Sequence, residues 1–292
     1  MPYLILTAAT LFMSCNGIGA TFYNKRNESF KDTAKIYNLL ILGAVFLCWL
    51  IKFLTNLQFE PEVIVYSLIF TAGYTTAMLS SVCAYREGPM TLSSLIMQLS
   101  MISTTIWGFF FWGSEVTVPV IVGLILVVFA LVLCLYTGKK AYIGKQIVCE
   151  KKRISAKWLA YISLFFVGNS VGTITQRTQQ IDFDSLYGDF FMMVATAISF
   201  AVCLFVYLKS DRSDTKKILS TSWYIPLLCG AFNFLQNLLV IILATLLSAN
   251  IVYPVLMIGS LAITSIVSII IFREKMNWWQ HGVAKSRTQL SD

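Results

Sequence analysis

The chain has 292 residues, of which 57% are hydrophobic and only 12% are charged. A mean hydropathy of +0.74 lies far above that of soluble globular domains, so the composition excludes a soluble enzyme or binding module. The formal net charge of +8 comes without a basic face interleaved with aromatic residues, which excludes nucleic acid as a partner. The composition predicts an integral membrane protein, with lipid as its surroundings.

Apolar runs of about 20 residues, enough to cross a hydrocarbon core about 30 Å thick, recur along the whole chain. They predict an all-α polytopic bundle, because a helix satisfies its own backbone hydrogen bonds in lipid. In chain order the nine predicted spans cover residues 3–22, 36–55, 63–84, 91–112, 116–137, 158–178, 188–208, 223–247 and 251–272.

The basic residues indicate how these spans are oriented. All of the 22 Lys and Arg residues except Lys52 and Arg177 fall in connections on one side of the predicted membrane. Because Lys and Arg are enriched in cytoplasmic loops, we expect a multi-pass protein of the cell membrane with cytoplasmic basic loops and an outer amino terminus. Lys52 is expected to snorkel to the outer interface, whereas Arg177 either snorkels there or attracts anions.

The sequence contains few residues that could catalyse a reaction or bind a metal ion. No span interior contains an acidic residue, the single histidine is His281 in the polar end of the chain, and the seven cysteines form no CxxC pair. Such a pattern lacks the constellation of titratable groups that an enzyme or a metal site needs. The sequence therefore predicts a protein that is not an enzyme and has no catalytic residues, metal site or cofactor.

An internal repeat is indicated on either side of a basic linker, residues 138–157. Asn16 and Gly19 form an Asn-x-x-Gly pattern that recurs at Asn169 and Gly172, and the ends of the two halves align with Glu115 on Glu274. Five spans in each half would invert the second repeat, which is typical of secondary transporters. We therefore predict a first five-helix repeat at 1–137, a cytoplasmic linker at 138–157 and a second repeat at 158–280.

The second repeat lacks a counterpart to its fifth helix. Gly282 aligns with Gly123, but only "VAKSRTQLSD" follows it, which is too short and too polar to cross a membrane. We therefore expect residues 281–292 to be an atypical polar tail of a truncated or chimeric reading frame, with nine spans present and the tenth missing. The protein would then be an inactive transporter, or a homo-oligomer in which another subunit fills the gap.

The five-plus-five arrangement, the segment "YREGPMTLSSLIMQLSMI", the "GSE" turn that follows it and the equivalent "IFREK" after the ninth span resemble the EamA-type branch of the drug/metabolite transporter superfamily. The resemblance covers residues 1 to about 280. It implies a ten-helix transporter of small metabolites or drugs with a central cavity lined by both halves. Small four-helix relatives carry a membrane glutamate in the first helix, where this chain has Asn16.

Uncharged polar residues within the spans are the candidates for binding such a solute. An amide brings donors and acceptors that must all find partners in a low-dielectric interior, whereas a hydroxyl can bond back to its own helix. The predicted cavity residues are Asn16, Tyr74, Gln98, Asn169, Gln176, Asn233, Gln236, Asn237 and Tyr253.

Two interpretations of these side chains remain open. They line a cavity for a neutral, zwitterionic or weakly cationic small molecule, or they form interhelical hydrogen bonds in a membrane scaffold that transports nothing. Water-accessible cavity positions would favour the first interpretation.

Overall fold

The computed structural model describes residues 2–113 apart from 28, 31, 88 and 89, together with residues 155–210 and 214–271. All regular structure in these ranges is helical. The predicted fifth span, most of the linker and the polar tail lie outside the described residues.

The described ranges contain nine helices, named here in chain order: α1 (Pro2–Arg26), α2 (Thr33–Thr55), α3 (Val63–Glu87), α4 (Met90–Phe111), α5 (Ala156–Asp182), α6 (Gly188–Leu208), α7 (Thr215–Ser222), α8 (Tyr224–Leu246) and α9 (Ala249–Ile271). Eight of them match predicted spans, and the short α7 was not predicted. Six helices, namely α1, α2, α3, α5, α6 and α8, are long and apolar enough to cross a membrane. The prediction of a helical membrane protein is thereby confirmed.

Local signals fix where α5 begins and ends. Ser155 caps its amino terminus by accepting a hydrogen bond from the backbone of Trp158 at 3.0 Å. At the other end, Asp184, Ser185 and Tyr187 adopt positive φ angles of 49°, 62° and 57° in the short turn to α6. The side chain of Gln179 donates to the carbonyl of Leu186 in that turn at 2.9 Å, which helps to hold the turn between α5 and α6 in place.

The most extensive helix packing joins the first part of the chain to the second. Helix α3 packs along α5 and α1 along α8, followed by the pairs α2–α6, α2–α8, α1–α9, α4–α5, α4–α9 and α3–α6. Helices that follow one another in sequence touch far less. The interior of the bundle therefore lies between the two parts of the chain, which is where a shared site would have to be built.

Two glycines allow α3 and α5 to cross at close range. A Cβ atom at Gly73 would lie 2.5 Å from the carbonyl oxygen of Gly168, and one at Gly168 would lie 2.6 Å from that of Gly73. Both obstacles are backbone atoms, which cannot rotate away. Small residues at this crossing let α3 and α5 approach closely, as is common between membrane helices.

Polar contacts join the helix ends on each side of the bundle. At one end Lys52 pairs with Asp189 at 3.1 Å, and Tyr66 donates to Asp182 at 2.6 Å. At the opposite end Arg26 donates to the hydroxyl of Tyr224 at 2.9 Å. We call the end with Lys52 and Asp182 the acidic end and the end with Arg26 and Tyr224 the basic end.

Candidate solute-binding site

A cavity of about 190 Å³ lies within the bundle, between α1, α2, α3, α4, α5 and α8. Eight of the nine predicted residues line it: Asn16, Tyr74, Gln98, Asn169, Gln176, Asn233, Gln236 and Asn237. Both parts of the chain contribute, because α1 to α4 precede the linker and α5 and α8 follow it. The structure thus brings amides from distant segments to one interior space.

One hydrogen-bonded cluster spans this cavity. The Tyr74 hydroxyl on α3 donates to Oδ1 of Asn233 on α8 at 3.0 Å. Nδ2 of Asn237 donates to the same oxygen at 3.1 Å and to the Asn233 carbonyl at 2.9 Å. Asn233 is only 5% exposed, so its Oδ1 finds two donors in a place where water is scarce. This cluster fixes the orientation of three lining side chains.

A second set of polar contacts ties α4 to α5. Nδ2 of Asn169 donates to Oγ of Ser100 at 2.7 Å, and the hydroxyls of Thr104 and Thr173 share a hydrogen bond at 2.5 Å. Asn169 and Thr173 also line the cavity. These two side chains therefore have a structural role in helix packing beside any role in binding.

Two lining amides carry groups that are buried and have no partner in the described part of the chain. These are Oε1 of Gln98, an acceptor on α4, and Nε2 of Gln176, a donor on α5. A buried amide group without a partner costs about 1–3 kcal/mol. Both atoms are buried within the helix packing, so neither faces the open space of the cavity.

Aromatic and methionine side chains make up much of the remaining wall. Phe70 stacks on Tyr74 with ring centroids 5.2 Å apart, and the other lining residues of this kind are Met13, Tyr37, Met78, Tyr85, Met97, Met101 and Phe165. Of these residues, only Tyr74 was predicted from the sequence to line the cavity. No sequence signal could have found them, since aromatic and methionine residues that face lipid have the same spacing.

The two basic residues predicted at the outer interface both have partners. Lys52 forms the ion pair with Asp189, so it does more than snorkel. Arg177 follows the lining residue Gln176 but donates from Nη1 to the Ala244 carbonyl on α8 at 2.9 Å. Neither residue lines the cavity.

The expected place of Tyr253 needs correction. Its ring is 3% exposed and packs in a hydrophobic cluster that includes Leu6, Leu99, Leu256 and Met257, not on the cavity wall. Tyr253, Leu256 and Met257 lie on the side of α9 that packs against α1 and α4.

Hydroxyl groups expected to bond within or between helices do so. Thr71 donates to the Ser67 carbonyl on its own helix at 2.6 Å and approaches the Ala195 carbonyl on α6 at 3.2 Å. Thr264 donates to the Ser260 carbonyl at 2.7 Å. Within the described ranges, no group of three or more His, Cys, Asp or Glu residues is placed to hold a metal ion.

Comparison with known proteins adds little to this picture. No family model matches the sequence, and no curated protein matches it. One solved structure, named only "Crystal structure of protein", shares 13% sequence identity and a TM-score of 0.41, over 89% of this chain and 98% of that chain. The function therefore has to be argued from the cavity.

Proposed function

We propose that this protein is a secondary transporter of the EamA type, which moves a small metabolite or drug-like solute by alternating access of two inverted repeats. The observation that carries the proposal is the interior cavity, lined by amides from both parts of the chain. Buried amides are costly in a membrane bundle unless they find partners. A site that binds a passing solute explains why seven amide side chains line this cavity.

The packing pattern supports two inverted repeats. In the proposed repeats, α1 corresponds to α5, α2 to α6, α3 to α8 and α4 to α9. Each helix pair in this correspondence should then have an observed counterpart. The pair α3–α5 does correspond to the observed pair α1–α8, α2–α8 to α3–α6, and α1–α9 to α4–α5. The pairs α2–α6 and α4–α9 are unchanged. A pseudo-two-fold axis in the membrane plane relates inverted repeats and would produce this pairing.

A single contact in the cavity supports the same relation. Tyr74 and Asn233, which bond to each other, are 159 positions apart, and the same shift aligns Glu115 with Glu274. Equivalent residues of two repeats meet only at or near the axis that relates them. The cavity would then lie on the axis, where transporter sites are commonly found.

Access from both membrane faces tests the proposal. In a variant with its native cysteines replaced by serine, Gln98→Cys, Asn233→Cys and Gln236→Cys would each be exposed to a membrane-impermeant thiol reagent from either side of sealed, oriented vesicles. Alternating access predicts labelling from both sides at each of these positions. Uptake of radiolabelled solutes into proteoliposomes is the second measurement.

Val167→Cys is the matched control, because Val167 lies on α5 two residues from the lining residue Asn169 yet is 61% exposed. It should stay unreactive, since a thiol in lipid does not ionise. If the cavity positions are as unreactive as Val167→Cys, the polar residues only hold helices together. The protein is then a membrane scaffold or an inactive transporter.

A further inference from the structure

Helix α7 is an extension of α8 beyond a proline break. Trp223, the single residue between the two helices, has helical backbone angles of −57° and −32°. Pro226 has no N–H group to donate to the Ser222 carbonyl one turn earlier, so the ladder of backbone hydrogen bonds is interrupted there. The short polar segment "TKKILSTS" therefore continues the apolar α8 past the break, at the basic end of the bundle.

One side of α7 is fixed to the bundle. Ile218 is fully buried and belongs to the hydrophobic cluster that contains Tyr23 of α1. At the start of α7 the Tyr207 hydroxyl donates to Oγ1 of Thr215 at 3.2 Å, and at its end Ser222 is fully buried. These contacts hold the helix in one orientation against the basic end.

The other side of α7 is exposed and continues across the break into α8. Residues three and four apart lie on one face of a helix, and six residues at these steps are exposed. They are Lys216, Lys217, Ser220, Thr221, Trp223 and Tyr224, which we call the α7 face. The two lysines lie at one end of this face and the two aromatic rings at the other.

A further cation lies at the aromatic end of the α7 face. Arg26 donates from Nη1 to the Tyr224 hydroxyl at 2.9 Å. It lies one turn beyond Phe22 on α1, whose ring is 46% exposed, and Trp223 is 51% exposed. Exposed aromatic rings beside basic residues at the end of an apolar span are typical of the depth of lipid headgroups.

Positive charge predominates in the connection that carries the α7 face. Residues 209–217, "KSDRSDTKK", include four basic and two acidic residues. Asp214 directly precedes α7, where the helix dipole favours an acidic side chain. A basic cluster on an amphipathic helix beside a membrane span attracts anionic lipids.

We propose that the α7 face, together with Arg26, binds the headgroup of an anionic phospholipid in the leaflet next to the basic end. Lys216 and Lys217 attract the anionic group, and the exposed rings hold the segment at headgroup depth. The proposal does not rest on the proposed function, because lipid binding needs neither a solute nor alternating access.

Two lipids that differ only in their headgroups test the proposal. The purified full-length protein in mild detergent would be titrated with dioleoylphosphatidylglycerol, which is anionic, and with dioleoylphosphatidylcholine, which is zwitterionic. Native mass spectrometry measures the bound lipid. We expect the phosphatidylglycerol to bind about tenfold or more tighter, because several basic residues act on one headgroup.

Substitutions assign this preference to the α7 face. Lys216→Gln and Lys217→Gln should each reduce the preference by about fivefold, the effect of one basic residue near an anionic surface. The double variant Lys216→Arg, Lys217→Arg keeps both charges and should keep the preference. Lys157→Gln is the matched control, because Lys157 is exposed at the same end of the bundle but lies on α5. Thermal unfolding of each variant confirms that the bundle remains folded.

Equal affinity for the two lipids would overturn the proposal, and so would folded Lys216→Gln and Lys217→Gln variants that keep the full preference. An equal loss in Lys157→Gln would mean that anionic lipid gathers at any basic residue of this end, which contradicts a site on α7. Excess inorganic phosphate should displace no more lipid than sodium chloride of equal ionic strength does. Greater displacement by phosphate would identify a site for the free anion instead. Each of these outcomes is independent of uptake into proteoliposomes, which tests the transporter proposal separately.

Discussion

Gly73 and Gly168 determine how closely α3 and α5 approach, and so the shape of the cavity wall that both helices share. An added Cβ at Gly168 would meet the Gly73 carbonyl oxygen at 2.6 Å and the Ala77 amide nitrogen at 3.1 Å. We predict that Gly168→Ala lowers the free energy of unfolding by about 1–3 kcal/mol, the usual cost of overpacking. Thermal unfolding in detergent measures it.

Gly43→Ala is the control for this substitution. The nearest obstacle to a Cβ there is the ring of Phe200 at 3.2 Å, a side chain that can shift by a few tenths of an ångström. It should unfold close to the temperature of the unmodified protein. A Gly168→Ala protein as stable as Gly43→Ala would mean that α3 and α5 can separate without cost.

Asn233 is the centre of the polar cluster, because its Oδ1 accepts from both Tyr74 and Asn237. We predict that Asn233→Leu destabilises the bundle more than Tyr74→Phe does. The first change leaves the Tyr74 hydroxyl unpaired and removes one of the two acceptors of Asn237 Nδ2, whereas the second leaves Oδ1 with one donor. Tyr74→Phe should cost about 0.6 kcal/mol, the average for a hydrogen bond between membrane helices, and Asn233→Leu about twice that.

The measurement is again thermal unfolding, with the double variant added. If the cluster acts as described, the double variant is no less stable than Asn233→Leu alone, because the Tyr74 hydroxyl is then already without its partner. A Tyr74→Phe protein as stable as the unmodified one would show that the Tyr74–Asn233 bond contributes nothing.

At the scale of helices, the sequence predicted correctly that most of the long helices exist and where they lie along the chain. The predicted span 188–208 coincides with α6, and 63–84 lies within α3, because an apolar run of fixed length has few alternatives in a bilayer. Helix α7, with the sequence "TKKILSTS", was missed because it is short and polar on average. Its buried Ile218 shows that one face nevertheless packs against the bundle.

The candidate site was predictable only for its polar residues. A buried amide such as Asn233 or Gln98 stands out in an apolar span, and eight of nine candidates line one cavity. Tyr37, Phe70 and Tyr85 could not be predicted, since the same side chains face lipid elsewhere. Tyr253 was misplaced because helical periodicity groups residues on a face without showing which neighbour covers it.

The acidic ends of α2 and α6 are held together by the ion pair of Lys52 with Asp189. Since α2 and α6 belong to different predicted repeats, alternating access requires this contact to open when the site faces the acidic end. We predict that Lys52→Met favours that state. Labelling of Gln176→Cys, the lining position nearest that end, should become faster from the acidic side.

Lys35→Met is the matched control, because Lys35 pairs with Asp32 only three residues away, at 3.2 Å. That pair lies at the amino-terminal end of α2 and joins no two helices, so its loss should leave the labelling rate unchanged. If both variants label Gln176→Cys at the rate of the unmodified background, the Lys52–Asp189 pair does not control access.

Acidic and basic residues are distributed unequally between the two ends of the bundle. In the described residues, the acidic end holds Glu60, Glu62, Asp182, Asp184 and Asp189 against two basic residues, and the basic end holds Lys25, Arg26, Lys35, Arg86, Lys157, Lys209, Lys216 and Lys217 against Asp32, Glu87 and Asp214. Contacts at both ends, such as Lys52–Asp189 and Arg26–Tyr224, confirm that these residues belong to opposite ends of one bundle. We expect this difference in charge to determine which end of the bundle faces the cytoplasm.

We predict that the basic end is cytoplasmic, because Lys and Arg near span ends resist translocation far more than acidic residues do. An epitope tag placed before α1 should then bind antibody on intact cells. The same tag inserted at residues 211–213, between α6 and α7, should bind only after the cells are permeabilised. A tag between α2 and α3, at the acidic end, should behave like the first and serves as its independent check. The reverse pattern would place the cavity in the opposite orientation, so that Gln176 would face the cytoplasmic side and Gln98 the outside. Antibody binding on intact cells to tags at both ends of the bundle would mean that the chain inserts in two orientations despite its charge.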